Sequence, residues 1–159
     1  MMASVTGLGD LRGEFKKLRS DMKLKTGRRM VASGGRVLRK EAKTIATARG
    51  LKKSGALIRN IAIKRERNAP QGTEQYNLGV RHGRDLGNGK RVIKFLAVDK
   101  RSGRVVTRRQ NDPFYWRFLE FDTSRRKGTS FIEQAFKNKR TQAAAAMGVQ
   151  LSKDLAKAA

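Results

Sequence analysis

The apolar positions of this chain fall in steps that change along its length. Leu8, Leu11, Phe15, Leu18 and Met22 recur at steps of three and four, with Arg12, Lys16, Lys17 and Arg19 off the stripe. That spacing predicts an amphipathic helix. Lys25-Thr26-Gly27 interrupts it, and Thr26 suits the N-cap of a second helix. This second helix carries Met30, Val31, Gly34, Val37, Leu38, Ala42, Ile45 and Ala48. It is expected to stop near Gly50, which can adopt the left-handed backbone of a helix end. Gly34-Gly35 inside it either weakens the helix or admits another backbone at close range, and close packing is the preferred reading.

The period then shortens. Leu57, Ile61 and Ile63 alternate with polar residues as a half-buried strand does, and Asn68 to Gly72 is a turn signal. Tyr76, Leu78 and Val80 form the next strand, and Arg84 to Lys90 has loop chemistry. Val92–Val98 and Arg104–Thr107 follow as two β-rich runs, joined by Asp99-Lys-Arg-Ser-Gly103 as a hairpin loop ending in glycine. Its tip and arms bear Lys100, Arg101, Arg104, Arg108 and Arg109. This basic hairpin reads equally as a reaching element or as an edge guarded by charge.

Phe114-Tyr-Trp-Arg-Phe-Leu-Glu-Phe121 is the densest aromatic run in a chain only 6% aromatic. Read as a strand, it is apolar on both faces, with Tyr115, Arg117, Leu119 and Phe121 on one and Phe114, Trp116, Phe118 and Glu120 on the other. Such a strand is either central and covered on both sides, or buried on one side by another subunit. Ser130-Phe-Ile-Glu133 is a capping box, opening a helix of about 26 residues and about 39 Å. Ile132, Ala135, Phe136, Ala143, Ala146, Met147, Leu151 and Leu155 give it helical spacing.

Composition narrows the chemistry. The 159 residues suffice for one domain, and 38 Lys and Arg against 13 Asp and Glu give a formal charge of +25. A field of that strength attracts nucleic acid or acidic protein surfaces without sequence preference. The absence of cysteine excludes a disulfide scaffold, a thiolate zinc site and a cysteine nucleophile, and the single histidine, His82, cannot supply paired imidazole ligands. His82 reads as a surface residue and the methionines as core. No membrane-spanning run or signal-peptide apolar region is visible. Phosphate-loop, GxSxG and HExxH motifs are missing. Glu120 and Asp122 could hold a divalent cation, but pairing with Arg117, Arg125 and Arg126 is the preferred use. No enzyme, cofactor or metal is expected.

Two segments carry a family likeness. Tyr115-Trp-Arg-Phe-Leu-Glu-Phe-Asp-Thr-Ser124, followed by Phe131-Ile-Glu-Gln-Ala-Phe136, resembles a "Y-x-x-x-x-E-F-G-T-S … P-F-L-R-P-A-F" signature. Ser54-Gly-Ala-Leu-Ile-Arg-Asn-Ile61 is similar to its "T-G-x-L-x-x-S-I". Both belong to the tail-completion or head–tail joining (neck) proteins of tailed phages, of the lambda minor tail protein Z type. The chain departs from the pattern at Asp122, Ser130 and Gln134, lacks a proline before Ser54, and is longer between Arg84 and Asp112.

The resemblance implies one α+β domain over residues 1–159. Its parts are a helical pair at 8–50, a mostly antiparallel sheet of four to five strands at 55–121 with the loop and hairpin at 84–112, and a helix at 130–157. It further implies a non-enzymatic virion protein, assembled in the host cytoplasm. Such a protein forms a ring, sixfold by analogy, at the head–tail junction or upper tail. Phe114, Tyr115, Trp116, Phe118, Glu120, Phe131 and Phe136 would then form core and subunit interface. Lys100, Arg101, Arg104, Arg108, Arg109, Arg125 and Arg126 would meet neighbouring neck or tail proteins or genomic DNA, and no membrane is involved. The alternative is a sequence-independent nucleic-acid binder of ribosomal or nucleoid type, whose mark would be aromatics interleaved with Lys and Arg on an exposed face.

Overall fold

The computed structural model describes residues 8–51, 55–70, 72–83, 86 and 92–157, with side chains of the first helix from residue 24 onward. A single helix, α1 (Leu8–Ala48), replaces the expected N-terminal pair. Thr26 and Gly27 lie inside it, although each disfavours a helix interior by up to about 1 kcal/mol relative to alanine. Tertiary contact outweighs that preference. A Cβ on Gly27 would stand 3.6 Å from the Glu74 side chain, and Arg28 Nε donates to Glu74 Oε1 at 3.0 Å. The stripe Leu8 to Met22 lies on α1, but its side chains are outside the described residues. Gly50, at φ +67°, ends the helix as its chemistry predicts, and the Leu51 N–H donates to the Ala46 carbonyl.

Leu57 belongs to a short helix, α2 (Ala56–Asn60), rather than to a strand. The chain continues into β1 (Ile61–Arg65), which pairs antiparallel with β2 (Tyr76–Val80), Ile61 opposite Val80 and Arg65 opposite Tyr76. The basic hairpin forms as expected from β3 (Ile93–Val98) and β4 (Val105–Gln110), and Gly103 takes φ +67° in its loop. Of the loop expected at Arg84 to Lys90, only Leu86 falls among the described residues.

The two strand pairs do not join. They form separate two-stranded sheets, not one sheet of four to five strands. The expected aromatic strand is no strand either. Asn111 at φ +66° and the turn at Pro113, whose carbonyl accepts the Trp116 N–H at 3.0 Å, lead into a one-turn helix, α3 (Trp116–Glu120). With a helical period, Trp116, Leu119 and Glu120 turn inward while Phe114, Phe118 and Phe121 remain exposed. The final helix, α4 (Phe131–Ala156), has the length its periodicity predicts. The fold is α+β.

The core lies where α4 and β1–β2 meet α1. Ala42 and Ala46 pack with Leu57, Ile61, Val80, Phe131 and Ala135. Fully burying Leu57, Ile61 and Phe131 contributes roughly 1.5–3 kcal/mol each. Close approach depends on the two consecutive glycines. A Cβ on Gly34 would lie within the Met147 side chain and 3.1 Å from the Ala143 carbonyl oxygen, while one on Gly35 would lie 3.2 Å from Ile63. Next to them, Ser33 Oγ donates to the Ala146 carbonyl at 3.0 Å, joining α1 to α4.

Candidate assembly surface

Four acidic side chains are bound inside this basic protein, and each joins two elements. Glu74 is held by Arg65 at 2.7 Å and Arg28 at 3.0 Å, connecting β1–β2 to α1. The Arg65 hydrogen bonds, with help from Arg28, hold the Glu74 carboxyl down to about 2. Asp154 accepts from Gln150 and from Arg29 at 3.4 Å, tying the far end of α4 to α1. Asp112 accepts the Gly83 N–H at 3.0 Å and lies 3.7 Å from Arg109, fastening the root of the hairpin.

Glu120 is the fourth. Its carboxylate is buried and accepts the Ile132 N–H at 3.1 and 3.2 Å and the Glu133 N–H at 3.2 Å. It therefore caps α4 from outside, supplying negative charge where a helix start presents unpaired N–H groups. This replaces the expected capping box. Ser130 sits at φ +42° with no side-chain cap, and Glu133 pairs with Lys137 instead. The returning chain supports the arrangement. The Thr129 and Ser130 N–H groups donate to the Leu119 and Glu120 carbonyls, and a side chain on Gly128 would collide with that backbone. Asp122 is exposed and accepts the Gly128 N–H at 2.7 Å, so it shares no site with Glu120. Among the described residues neither carboxylate pairs with Arg117, Arg125 or Arg126, and no group of three or more His, Asp or Glu is placed to hold a metal.

The structure divides the expected interface residues. Phe131 is core, Glu120 is buried, and Tyr115 and Trp116 are half-buried, whereas Phe114, Phe118 and Phe136 are exposed. Arg109 lies over the Phe114 ring at 5.6 Å and Arg117 over Trp116 at 5.8 Å. His82 is exposed, as expected, and its ring is 6.3 Å from that of Trp116.

The hairpin is a second exposed apolar surface. β3 and β4 pack on each other and make no comparable contact with the helices or with β1–β2. Leu96 is 73% exposed, Val98 61% and Val105 65%, and Ile93 and Phe95 are exposed as well. Lys94, Leu96 and Val98 share one face, Ile93, Phe95 and Ala97 the other. β3 thus presents exposed apolar side chains on both faces, beside Arg109 and Thr107 of β4 on the first and Arg108 on the second. At the tip Lys100, Arg101 and Arg104 face solvent, while Arg108 approaches Asp99 at 4.0 Å. The Ser102 hydroxyl hydrogen bond, followed by backbone N–H groups and Arg108, pulls the Asp99 carboxyl below its usual value. Arg125 and Arg126 occupy an exposed turn closed by the Thr123 N–H to the Arg126 carbonyl at 2.8 Å.

Reading the hairpin for its charge misses this apolar surface. The signal is present, since Ile93–Val98 contains one charged residue in six positions, which suits a strand covered on both faces. No known protein family, curated protein or solved structure matches the chain.

Proposed function

We propose that this chain is a non-catalytic structural subunit of a tailed-phage particle, forming a ring at the head–tail junction or the upper end of the tail. The observation that carries the reading is the β3–β4 hairpin, anchored at its root, with exposed apolar side chains of β3 on both of its faces. A lone two-stranded hairpin is marginal in water. Its exposed Leu96, Val98 and Val105 lose contact with water if a neighbouring subunit covers them, and a head-to-tail contact makes a ring when its rotation closes. Phe114, Phe118 and Phe136 supply further exposed apolar surface. The cationic tip, with Lys100, Arg101 and Arg104, suits an acidic neighbouring ring or the genome. The likeness of residues 115–136 to the tail-completion signature points the same way.

Light scattering coupled to sizing tests the reading. A closed oligomer is expected for the native chain, and Leu96→Ser with Val98→Ser should return it to monomer without unfolding. A native chain that stays monomeric at every concentration overturns the proposal.

Sequence-independent nucleic-acid binding is the second reading, and it draws on a specific feature. Arg109 over Phe114 and Arg117 over Trp116, beside exposed Phe118 and Phe121, interleave cations with aromatics. A monomer that binds nucleic acid with a steep salt dependence would favour it.

A further inference from the structure

The outer face of β1–β2 forms a cleft of about 580 Å³ that neither reading uses. Residues alternate across a strand pair, so Ile61, Ile63 and Leu78 serve the α1 side while Ala62 and Gly79, opposite each other in register, form the cleft floor, and Val80 belongs to the core and also borders the cleft. A Cβ on Gly79 would meet nothing within 4 Å, so the floor is open above two of the smallest residues. Lys64, Arg67, Arg81 and His82 line the cleft, and among the described residues no acidic side chain does. Lys64 and Arg67 are exposed and make no ion pair among the described residues. Arg81 Nη1 donates to the Leu86 carbonyl at 3.2 Å, which holds its guanidinium at the rim. Glu66, a nearby carboxylate among the described residues, is engaged by Asn77 at 3.0 Å and by the Asn68 N–H at 3.2 Å.

We propose that this cleft binds a single-stranded nucleic acid, lodging one nucleotide with its phosphates on Lys64 and Arg67 and its base on the Ala62–Gly79 floor. The volume falls within the roughly 300–1,000 Å³ of small-ligand sites, which admits an unpaired base and excludes a duplex. Cations around a flat, uncharged floor match a phosphate joined to a planar base. An acidic peptide fits less well, because an extended peptide gains most from backbone pairing at a sheet edge, and this cleft lies on a sheet face. The strand has a continuation. His82 leads to Trp116 and Arg117, whose rings and guanidinium offer a second stacking position. The proposal is independent of the ring reading and shares only its ligand class with the second.

Trp116, the sole tryptophan, makes the site readable. The full chain is titrated with labelled oligothymidylate near physiological salt, following anisotropy and tryptophan emission together. Saturable binding with a change in emission is expected. Gly79→Ile alters no charge, suits a strand and fills the floor. It should weaken binding about tenfold, the scale of one lost base contact, abolish the emission change and leave the salt slope intact. The double substitution Lys64→Gln with Arg67→Gln should lower that slope by about 1.4, near 0.7 for each cation removed. Binding and emission unchanged in folded Gly79→Ile, or a slope unchanged in the double variant, overturns the cleft while leaving general nucleic-acid binding intact. Absence of binding by the native chain overturns both. Polyglutamate that competes as well as oligothymidylate would reassign the cleft to acidic peptides.

Discussion

The helical body and the β3–β4 hairpin are built on opposite terms. In the body, α1, α4 and β1–β2 approach closely because small residues face one another, Gly34 against Met147 and Ala42 and Ala46 beside Phe131. The carboxylates of Glu74, Glu120 and Asp154 each have a partner in another part of the chain. The hairpin has complete strand pairing from Ile93–Gln110 to Val98–Val105 but no core beneath it. Backbone hydrogen bonds alone contribute little net stability against water. The body is therefore self-sufficient, whereas the hairpin is shaped for surroundings that the rest of this chain does not supply.

Core truncation should separate the two regions most sharply. Phe131→Ala, at a fully buried site, is expected to lower unfolding free energy by about 3–5 kcal/mol in denaturant titration. Leu96→Ser on the hairpin should change it by less than about 0.5 kcal/mol. Equal losses would mean that the hairpin is part of the body's cooperative unit.

The external cap comes next. Glu120→Ala leaves the Ile132 and Glu133 N–H groups without their acceptor and should cost about 0.5–2 kcal/mol, the scale of a lost helix cap, with Glu120→Gln recovering part of the loss through its remaining oxygen. Equal stability of all three proteins would show that the helix start finds another acceptor.

Amide hydrogen exchange measures the contrast directly. In the monomer, β3–β4 amides should exchange well before those of α4, because local opening there exposes no core. If the ring reading holds, assembly should slow the hairpin amides selectively.

The smallest effect concerns pH. Glu74 is held near 2 against about 4.5 for an unperturbed carboxyl, so its contribution is present in full above about 4.5 and is lost as pH falls toward 2. The melting temperatures of the native chain and Glu74→Gln should differ by a constant amount above about pH 5 and converge between about 4.5 and 2. A difference unchanged across that window would mean that Arg28 and Arg65 do not distinguish the charged carboxylate.

Much of the architecture is legible from short-range chemistry. The apolar spacing of α4, the glycine stop at Gly50 and the Asp99–Gly103 loop each depend on contacts within a few residues, and all three form. Of the candidate surface, the cationic tip of the hairpin was equally legible, but its exposed apolar faces were not. The β-rich composition of Ile93–Val98 predicts a strand, and says nothing of what covers it. The Phe114–Phe121 run satisfies both a strand and a helical turn, and Thr26-Gly27 reads locally as a break.

Those ambiguous segments were decided by partners far along the chain. Glu74 reaches Arg28 across 46 positions and keeps α1 continuous, while Glu120 reaches Ile132 across 12 and fixes α3 against the start of α4. Lys64 and Arg67 gain a cleft only because β1 and β2 place Ala62 opposite Gly79. Propensities and capping preferences amount to about 1 kcal/mol apiece, small enough for one buried carboxylate or one close helix contact to reverse. Elements whose local signals agree can be read from residue order, and those whose signals conflict take their form from the packed whole.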